Sequence, residues 1–518
     1  MRISVQSTRL LVILVLALTA MAGSPATSAP TLAPERGGIL RVALPEDFAT
    51  LDPHMPSAGI DRHVMHAIYD PIVDVDEKLS PIPVLAESWS TPDPVTYLFK
   101  LRRGVKFHDG TDFDAEAVKW NIERVLDPAT RSQRASELAS VREVTVVDKY
   151  TVRIALKAPF PGLFAVFADR VLPVSPAGVR KYGADFARNP VGTGPFQFVE
   201  WVKGDHLRVQ RFDGYWGKDA AGRQYPYLEG IDFRFLTDDS TRLSALRTGT
   251  VDFADRIQPK DVGTVKADSN LIYIEILGPG YNQIYMNTRR APFDNRALRQ
   301  AISYAIDREA IHRVIYLGTG RIGEAAIPPS HRYWDSTFTI YGRKANQTLA
   351  RNKLIEGGRP SGFEFPLEVF NAPLDIQLAE LIQAQLQEVG IVARIVPSES
   401  STLITRLIRR DFNTFRASFV GRVDMDVAMH PAFTCAGSSN YMNYCNSEVD
   451  SLLDRARSST DDNARKQLYR QAQRIIIAEA PLVIMHYDAL GRGLRRTVQG
   501  FRPIPDGILR FEAVYITK

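Results

Sequence analysis

Residues 95–128 read VTYLFKLRRGVKFHDGTDFDAEAVKWNIERVLDP and predict a strand, a turn and a helix in succession. The run 95–100 alternates in a β-rich pattern, which is typical of a strand. The His-Asp-Gly sequence at 108–110 predicts a turn, because Asp bonds nearby backbone and Gly accepts a positive φ. Either Asp112 or Asp114 can then cap the helix. The unit contains no catalytic constellation and indicates a scaffold.

The wider pattern predicts an α/β protein of several domains. A chain of 518 residues exceeds what one hydrophobic core supports, so two or three domains are expected. Helical stripes at 376–389 and 463–479 are each followed by a strand, at 391–396 and 482–486. This alternation favours an α/β architecture.

The N-terminus predicts export. Arg2 and Arg9 precede an apolar run at 10–22 that ends in small residues, as in a secretory signal peptide. We expect a signal peptide at 1–22, with cleavage extending to about residue 29, and a flexible leader at 23–36. The protein is therefore expected in the periplasm.

Charge and cysteine content narrow the functional classes. The net charge is +5, but the basic runs at 406–410 and 491–496 are short and without interleaved aromatics. We expect a solvated basic surface and no nucleic-acid partner. Cys435 and Cys445, the only cysteines, predict a local disulfide in an exported protein. His430 alone is near them, so no metal is expected there.

Nine segments, in order, carry a resemblance to a known family. They are LDPHM (51–55), YDPIVDVD (69–76), PIPVLAESW (81–89), FKLRRGVKFHDG (99–110), NPVGTGPFQFVEW (189–201), FDNRALRQAISYAIDREAI (293–311), LAELIQAQLQEVGI (378–391), SNYMNYCNSEVDSLLDRAR (439–457) and YRQAQRIIIAEAPLVIMHY (469–487). The chain resembles the extracytoplasmic solute-binding proteins of peptide/nickel-type ABC importers, solute-binding protein family 5. The resemblance covers nearly the whole mature chain.

The resemblance implies a periplasmic-binding-protein-like fold (type II, cluster C), a two-lobed Venus flytrap with an additional domain. Domain I would be discontinuous, at 37–76, 190–278 and 489–518, with domain II at 77–189 and domain III at 279–488. Ligand would bind between domains I and III. The implied function is the capture of a peptide or other small polar solute and its delivery to an ABC permease, by a monomer without a cofactor or enzymatic activity.

The resemblance also implies ligand-binding residues. Ser57 and Gly59 match a first-domain loop that touches ligand in relatives, and 417–421 match a strand edge that bonds a peptide backbone. The expected contacts are Ser57, Gly59, Tyr281, Asn282, Asn371, Ala417, Phe419, Gly421, Arg422 and Asp424.

The chain departs from its peptide-binding relatives at two positions. Their ammonium-binding aspartate corresponds to Gly421 or Arg422, and the strand at 367–373 lacks the arginine that takes a dipeptide carboxylate. A free dipeptide is therefore a poor fit, because buried charges need partners. Arg422 suits a carboxylate or phosphate. Alternatively, it pairs with Asp424 or Asp426.

Two other functions remain open from the residues. Asp424 and Asp426 could serve an exported α/β hydrolase, although on an extended segment they would point to opposite faces. His63 and His66, with His54 upstream, allow a metal-complex or haem-type carrier. The GTGRIG sequence at 318–323 follows a helix rather than a strand, so we expect a loop and no dinucleotide site.

Overall fold

Strands and helices alternate along the computed structural model, which describes residues 34–55 and 60–517. The expected signal peptide at 1–22 and all but the end of the leader lie outside the described residues. Residues Glu35–Lys518 form one compact unit. No helix within the described ranges is long and apolar enough to cross a membrane.

In the described part of the chain, the strands are short and fall into five sheets. They are β1 (Ile39–Leu44), β2 (Val73–Val75), β3 (Pro81–Pro83), β4 (Ala86–Asp93), β5 (Thr96–Leu101), β6 (Val141–Asp148), β7 (Thr151–Leu156), β8 (Phe196–Val202), β9 (His206–Arg211), β10 (Gly230–Phe235), β11 (Phe253–Asp255), β12 (Leu271–Leu277), β13 (Tyr281–Met286), β14 (Arg321–Ile322), β15 (Glu364–Phe370), β16 (Val392–Ser398), β17 (Thr414–Phe419), β18 (Leu482–Tyr487), β19 (Ala489–Arg495), β20 (Val498–Gln499) and β21 (Tyr515–Ile516).

The helices pack on the faces of these sheets. They are α1 (Asp61–Ile68), α2 (Ala115–Leu126), α3 (Leu163–Asp169), α4 (Pro176–Tyr182), α5 (Asp239–Thr248), α6 (Val262–Ala267), α7 (Arg296–Ala305), α8 (Arg308–Val314), α9 (Gln347–Glu356), α10 (Pro373–Gln387), α11 (Ser400–Ile408), α12 (Met425–Phe433), α13 (Ser447–Ser458) and α14 (Asp462–Glu479).

Three of the sheets carry most of the structure. The seven-stranded sheet has the order β12-β19-β11-β1-β10-β9-β8, and the four-stranded sheet has the order β4-β5-β7-β6. The six-stranded sheet has the order β14-β18-β13-β17-β15-β16. One apolar core joins the first two sheets, and a second core lies around the six-stranded sheet.

The segment at 95–128 folds as its sequence indicates. The carboxylate of Asp114 accepts a hydrogen bond from the backbone N–H of Ala117 at 3.1 Å, so Asp114 caps α2. Asp112 instead pairs on the surface with Lys106 and Lys149. In the turn, a ring nitrogen of His108 lies 3.0 Å from the carbonyl oxygen of Gly194. Burial lowers the pKa of His108 to about 4, and this histidine is part of the scaffold.

Two chain crossings connect the seven-stranded and six-stranded sheets. Strand β12 passes into β13 through residues 278–280, and β18 passes into β19 through Asp488. The two crossings touch, because the N–H of Gly278 donates to the carbonyl oxygen of Asp488 at 3.3 Å. The seven-stranded and six-stranded sheets are therefore joined by two short, adjacent connections.

One local expectation needs correction. The glycine-rich stretch at 318–323 is not entirely a loop, since Arg321 and Ile322 form edge strand β14 against Tyr487 and His486. It does follow helix α8, so it lacks the strand–glycine–helix order of a dinucleotide site.

Candidate functional site

A cavity of about 820 Å³ lies where the three large sheets face one another. The seven-stranded wall includes Arg62, His63, Asp255, Arg256, Leu490 and Arg492. The four-stranded wall includes Arg134, Glu137, Phe160, Val166, Asp169 and Arg170. The six-stranded wall includes Gly280, Phe419, Val420, Gly421, Arg422 and Arg457. The volume falls in the range of small-molecule sites.

The charged lining of this cavity is predominantly basic. Among the described residues, seven arginines and five carboxylates line it and give a formal charge of +2 with histidine neutral. The arginines are Arg62, Arg134, Arg170, Arg256, Arg422, Arg457 and Arg492, and the carboxylates are Glu137, Asp169, Asp255, Asp488 and Asp506. The field inside therefore favours an anionic occupant.

Each of these carboxylates is already engaged by the protein. Asp169 pairs with Arg62 and, at 3.3 Å, with Arg170. Burial alone would raise the pKa of Asp169, but the two guanidinium groups outweigh it and lower the pKa to about 2. The remaining pairs are Glu137 with Arg134, Asp255 with Arg492, Asp488 with Asn282, and Asp506 with Arg510. Among the described residues, every carboxylate of the wall therefore has a partner in the protein, although Oδ1 of Asp169 accepts no hydrogen bond.

Arg422 is differently placed from the other arginines. It follows Gly421, which has a φ of +80° and packs against the crossing at 278–280. Its side chain is exposed on the cavity wall, and Nη1 donates to the carbonyl oxygen of Gly421 at 2.8 Å. No carboxylate of the described residues lies within ion-pair distance of Arg422.

Asp424 and Asp426 have partners of their own. Asp424 is buried, caps α12 and accepts from Nη2 of Arg465 at 3.0 Å. Asp426 accepts from Nε and Nη2 of Arg457 at 2.9 Å. Neither pairs with Arg422, and neither is free for acid–base chemistry. The expectation of an extended segment here is wrong, because α12 begins at Met425.

The pKa of Asp424 reflects its ion pair. Burial alone would raise it, but the guanidinium groups of Arg465 and Arg332 outweigh this and hold the pKa below its usual value. Burial raises the pKa of Asp426 despite its pairing with Arg457.

The structure brings only some of the expected residues to the cavity. Phe419, Gly421 and Arg422 line it. Tyr281 and Ala417 are buried in the sheet behind it, where the ring of Tyr281 packs against that of Phe419 with centroids 5.1 Å apart. Within the described residues, these two side chains do not reach the wall.

Five further positions complete the comparison with the expected site. Asn282 supports the wall from beneath, since its amide nitrogen donates to Asp488 and its oxygen accepts from Arg416. Asn371 is exposed after β15 and does not line the cavity, and Asp424 is likewise not on the wall. Ser57 and Gly59 lie outside the described residues.

Sequence reasoning missed most of the seven-stranded wall. Arg492 belongs to the basic run at 491–496, for which we expected a solvated surface, but its side chain is 1% exposed. Its Nε donates to Asp255 at 2.9 Å, a contact between residues 237 positions apart. A pairing between residues so far apart in sequence leaves no pattern in the local sequence around either of them.

Two of the three histidines considered as metal ligands contact the backbone through a ring nitrogen, and Nε2 of the third, His66, lies 3.9 Å from Asp169. A ring nitrogen of His54 lies 3.0 Å from the carbonyl oxygen of Leu172, and Nδ1 of His63 accepts from the N–H of Leu509 at 3.3 Å. Burial lowers the pKa of His54 to about 4 and that of His63 to about 3. Across 34–55 and 60–517, no group of three or more potential ligands is arranged to hold a metal.

The expected disulfide between Cys435 and Cys445 is present. It closes the loop that carries Ser438 to the cavity wall. The bridge therefore fixes part of the site as well as the fold.

Comparisons of the sequence with known proteins find relatives of one class, the solute-binding proteins. The sequence model for bacterial extracellular solute-binding proteins, family 5 Middle, matches residues 80–440. The glutathione-binding protein GsiB of Salmonella paratyphi A is 31% identical over 487 residues, covering 91% of this chain and 93% of GsiB.

Solved structures of known proteins are also similar to this chain. HbpA2 from Haemophilus parasuis superposes with a TM-score of 0.85 at 26% identity, covering 93% of this chain and 100% of HbpA2. The periplasmic binding protein DppA from Helicobacter pylori, in complex with the peptide STSA, has a TM-score of 0.76 at 26% identity. That match covers 93% of this chain and 99% of DppA.

Proposed function

This chain belongs to the bacterial extracellular solute-binding proteins of family 5, and we propose from that premise that its solute is a small, anionic, peptide-like molecule. The protein is the substrate-binding component of an ABC import system and not an enzyme. The expected periplasmic-binding-protein-like α/β fold is confirmed. The hydrolase and the metal-complex or haem-type carrier find no support.

The observation that supports an anionic ligand is the position of Arg422. Its guanidinium lies on the cavity wall and, among the described residues, is bonded only to the carbonyl oxygen of Gly421. The neighbouring carboxylates of Asp424 and Asp426 are satisfied by Arg465 and Arg457. A planar guanidinium with donors to spare binds a carboxylate in a bidentate way.

The wall also suits an extended backbone. Strand β17 pairs with β13 along its length, but β15 pairs with it only at Thr414 and Phe415. The stretch from Ser418 to Gly421 lines the cavity beyond that pairing. The edge of this stretch that faces away from β13 is therefore available to an added peptide strand, as in β-augmentation.

Hinge closure is the mechanism that fits the architecture. A solute that contacts both the seven-stranded and the six-stranded wall stabilises the arrangement in which they are close. The crossings at 278–280 and at Asp488 are where the walls can rotate. The loaded form is then delivered to the permease, which releases the solute from the open form.

Several finer expectations remain proposals. The domain division at 37–76, 190–278 and 489–518, at 77–189 and at 279–488 is supported because each large sheet draws its strands from one of these sets. The family implies a periplasmic location. We further propose export through the signal peptide at 1–22, a monomeric state and no nucleic-acid partner.

Glutathione is the first candidate to test, because GsiB is named for binding it. Mass spectrometry of material released by denaturing the purified protein would identify a retained solute. Calorimetry would then measure the affinity for glutathione and for tripeptides without an acidic side chain. Binding of an anionic peptide-like solute is the expected result. A neutral or cationic solute that binds equally well would contradict the proposal.

A further inference from the structure

Arg457 is held on the cavity wall in one orientation by a buried carboxylate. It lies on α13 and lines the cavity with a side chain that is 29% exposed. Its Nε and Nη2 each donate to Asp426 at 2.9 Å, and the side chain of Asp426 is 0% exposed. A bidentate pair of this kind fixes the plane of a guanidinium as well as its position. Arg457 is therefore oriented before a solute arrives.

The two helices that carry this pair are joined at a second point. One turn after Asp426 on α12 and one turn before Arg457 on α13, Nε2 of His430 lies 2.9 Å from a carboxylate oxygen of Asp454. Two side-chain contacts, one turn apart, thus hold α12 against α13. This pairing supports the guanidinium from behind the wall.

One nitrogen of this guanidinium remains unused. Nη1 of Arg457 donates to no described residue, because the hydrogen bonds of the side chain to the described residues all run from Nε and Nη2 to Asp426. Nη1 is also not among the buried nitrogens that lack a partner, so solvent reaches it. In this respect it differs from Nη1 of Arg492, which is buried. Arg457 therefore offers an accessible donor to the cavity.

The four-stranded wall meets α12 close to this donor. Gly162, just before α3, packs so tightly that an added Cβ would lie 2.6 Å from Cγ1 of Val427, the residue after Asp426. Val427 and Phe160 both line the cavity. The surroundings of Arg457 therefore include apolar groups from both walls, and a hydrogen bond made there is partly shielded from water.

The charges around Arg457 cancel, whereas the charge of Arg422 does not. Asp426 compensates Arg457, and the neighbouring Asp424 is compensated by Arg465. Arg422 is bonded only to the carbonyl oxygen of Gly421 among the described residues. An anion gains less from a guanidinium whose charge is already offset, but an uncharged acceptor still gains a hydrogen bond from its N–H.

We propose that Nη1 of Arg457 binds an amide carbonyl oxygen of the solute, while Arg422 binds its carboxylate. This inference rests on the proposed function and specifies a second polar group of the solute. Asp426 is then a positioning residue, since it acts through Arg457. A carboxylic acid without an amide would reach Arg422 but would lose the contact with Arg457.

The test combines protein variants with ligand analogues. The probes are glutathione and a pool of acidic tripeptides. The tightest binder is then remade with each amide in turn replaced by a trans-alkene, which keeps the shape of the chain and removes the carbonyl oxygen. With the wild-type protein, calorimetry should show about a tenfold loss of affinity for one of these analogues, through loss of a hydrogen bond to a charged donor.

Arg457→Lys is the decisive variant. Lysine keeps the ion pair with Asp426 but lacks the second set of donors. It should bind the parent peptide about tenfold more weakly than wild type does, with no further loss for the one sensitive analogue. Arg422→Gln should retain the tenfold difference between parent and analogue. Arg455→Lys, exposed on the same helix and outside the cavity, is the matched control and should bind as wild type does.

The outcomes separate this inference from the proposed function. If Arg457→Lys binds the parent peptide as wild type does, or keeps the full loss for every analogue, the carbonyl subsite is refuted. Binding that still depends on Arg422 then leaves the proposed function intact. Failure of wild type to bind glutathione or any member of the pool refutes both.

A second variant covers a failure of Arg457→Lys to fold, as judged by circular dichroism. The double variant Asp426→Asn, Arg457→Gln removes both charges together, so it leaves no buried ion without its partner. It should show the same pattern as Arg457→Lys, with weaker binding of the parent peptide and no further loss for the sensitive analogue. A full further loss for that analogue would refute the subsite.

Discussion

Asp424 is bound by Arg465, 41 residues further along the chain, and not by Arg422, which is its near neighbour. Nη2 of Arg465 lies 3.0 and 3.2 Å from the two carboxylate oxygens. Arg422 is left on the cavity wall with a single backbone acceptor. One long-range ion pair thus determines which arginine is available to a solute.

Replacing Arg422 with Gln should weaken binding of the anionic solute by about tenfold, or about 1.4 kcal/mol, through loss of a charge-assisted contact. The melting temperature should not change, because the side chain is exposed and forms no ion pair with the described residues. Calorimetry and thermal melts measure the two effects. Arg409→Gln, exposed in the same part of the chain but outside the cavity, is the control. Equal affinities for the two variants would contradict this assignment.

Replacing Asp424 with Asn should instead destabilise the fold. The guanidinium of Arg465 is 8% exposed, and removing its carboxylate leaves a buried charge at a cost of about 3–5 kcal/mol. Urea denaturation at neutral pH measures the loss. Asp112→Asn, which breaks only surface pairs with Lys106 and Lys149, should leave stability unchanged.

Lowering the pH should reduce the loss of stability that Asp424→Asn causes. The folded pKa of Asp424 lies below its usual value of 3.8, so its ionisation stabilises the fold above that value. The contribution is lost as the pH falls through the folded pKa. The difference between wild type and Asp424→Asn should therefore narrow below about pH 4. A difference independent of pH would argue against an ionised Asp424.

Local sequence predicted the elements well, for a physical reason. The strand, turn and helix of 95–128 depend on alternation, on a His-Asp-Gly turn and on a capping aspartate, all of which act within a few residues. Only the choice between Asp112 and Asp114 required coordinates, because both are short acceptors near the start of α2.

The site was less predictable because its contacts are distant in sequence. Arg492 meets Asp255 across 237 residues, and this burial turns an apparent surface arginine into part of a cavity wall. The family resemblance predicted a ligand-binding strand edge near Phe419 and Gly421, which line the cavity, but it could not distinguish residues on the wall from those behind it. Tyr281 and Ala417 fall behind it because β13 and β17 are buried, with most of their side chains covered.

Asp70 should make stability depend on pH in the opposite sense to Asp424. Burial raises the pKa of Asp70 to about 7, although its carboxylate accepts hydrogen bonds from Tyr215 and Trp216. The folded state therefore holds a proton that the unfolded chain releases between pH 3.8 and about 7. This stabilisation is complete below the unfolded value and is lost as the pH rises through the folded one.

The substitution Asp70→Asn tests whether Asp70 holds this proton in the folded state. Asn does not titrate, so its stability relative to wild type should improve from pH 5 to pH 7 by up to about 1.4 kcal/mol per pH unit. Urea denaturation at several pH values provides the measurement. Parallel stability curves for the two proteins would show that Asp70 is ionised in the fold.

Gly421 should be indispensable to the shape of the cavity. Its φ of +80° is unfavourable for other residues, and an added Cβ would lie 2.2 Å from the carbonyl carbon of Pro279. Gly421→Ala must therefore displace either the crossing at 278–280 or the segment that presents Arg422. We expect a loss of about 1–2 kcal/mol in unfolding free energy from the backbone strain alone, together with weaker solute binding.

Gly263→Ala provides the matched comparison for Gly421→Ala. Gly263 lies in α6, its Cβ would meet no atom within 4 Å, and alanine there should raise stability by about 0.5–1 kcal/mol. Urea denaturation and calorimetry on both variants distinguish a local backbone requirement from a general sensitivity to alanine. If Gly421→Ala binds the solute with wild-type affinity, Arg422 does not depend on the hinge crossing for its position. In that case the contact between Gly421 and Pro279 is not required for closure of the cleft.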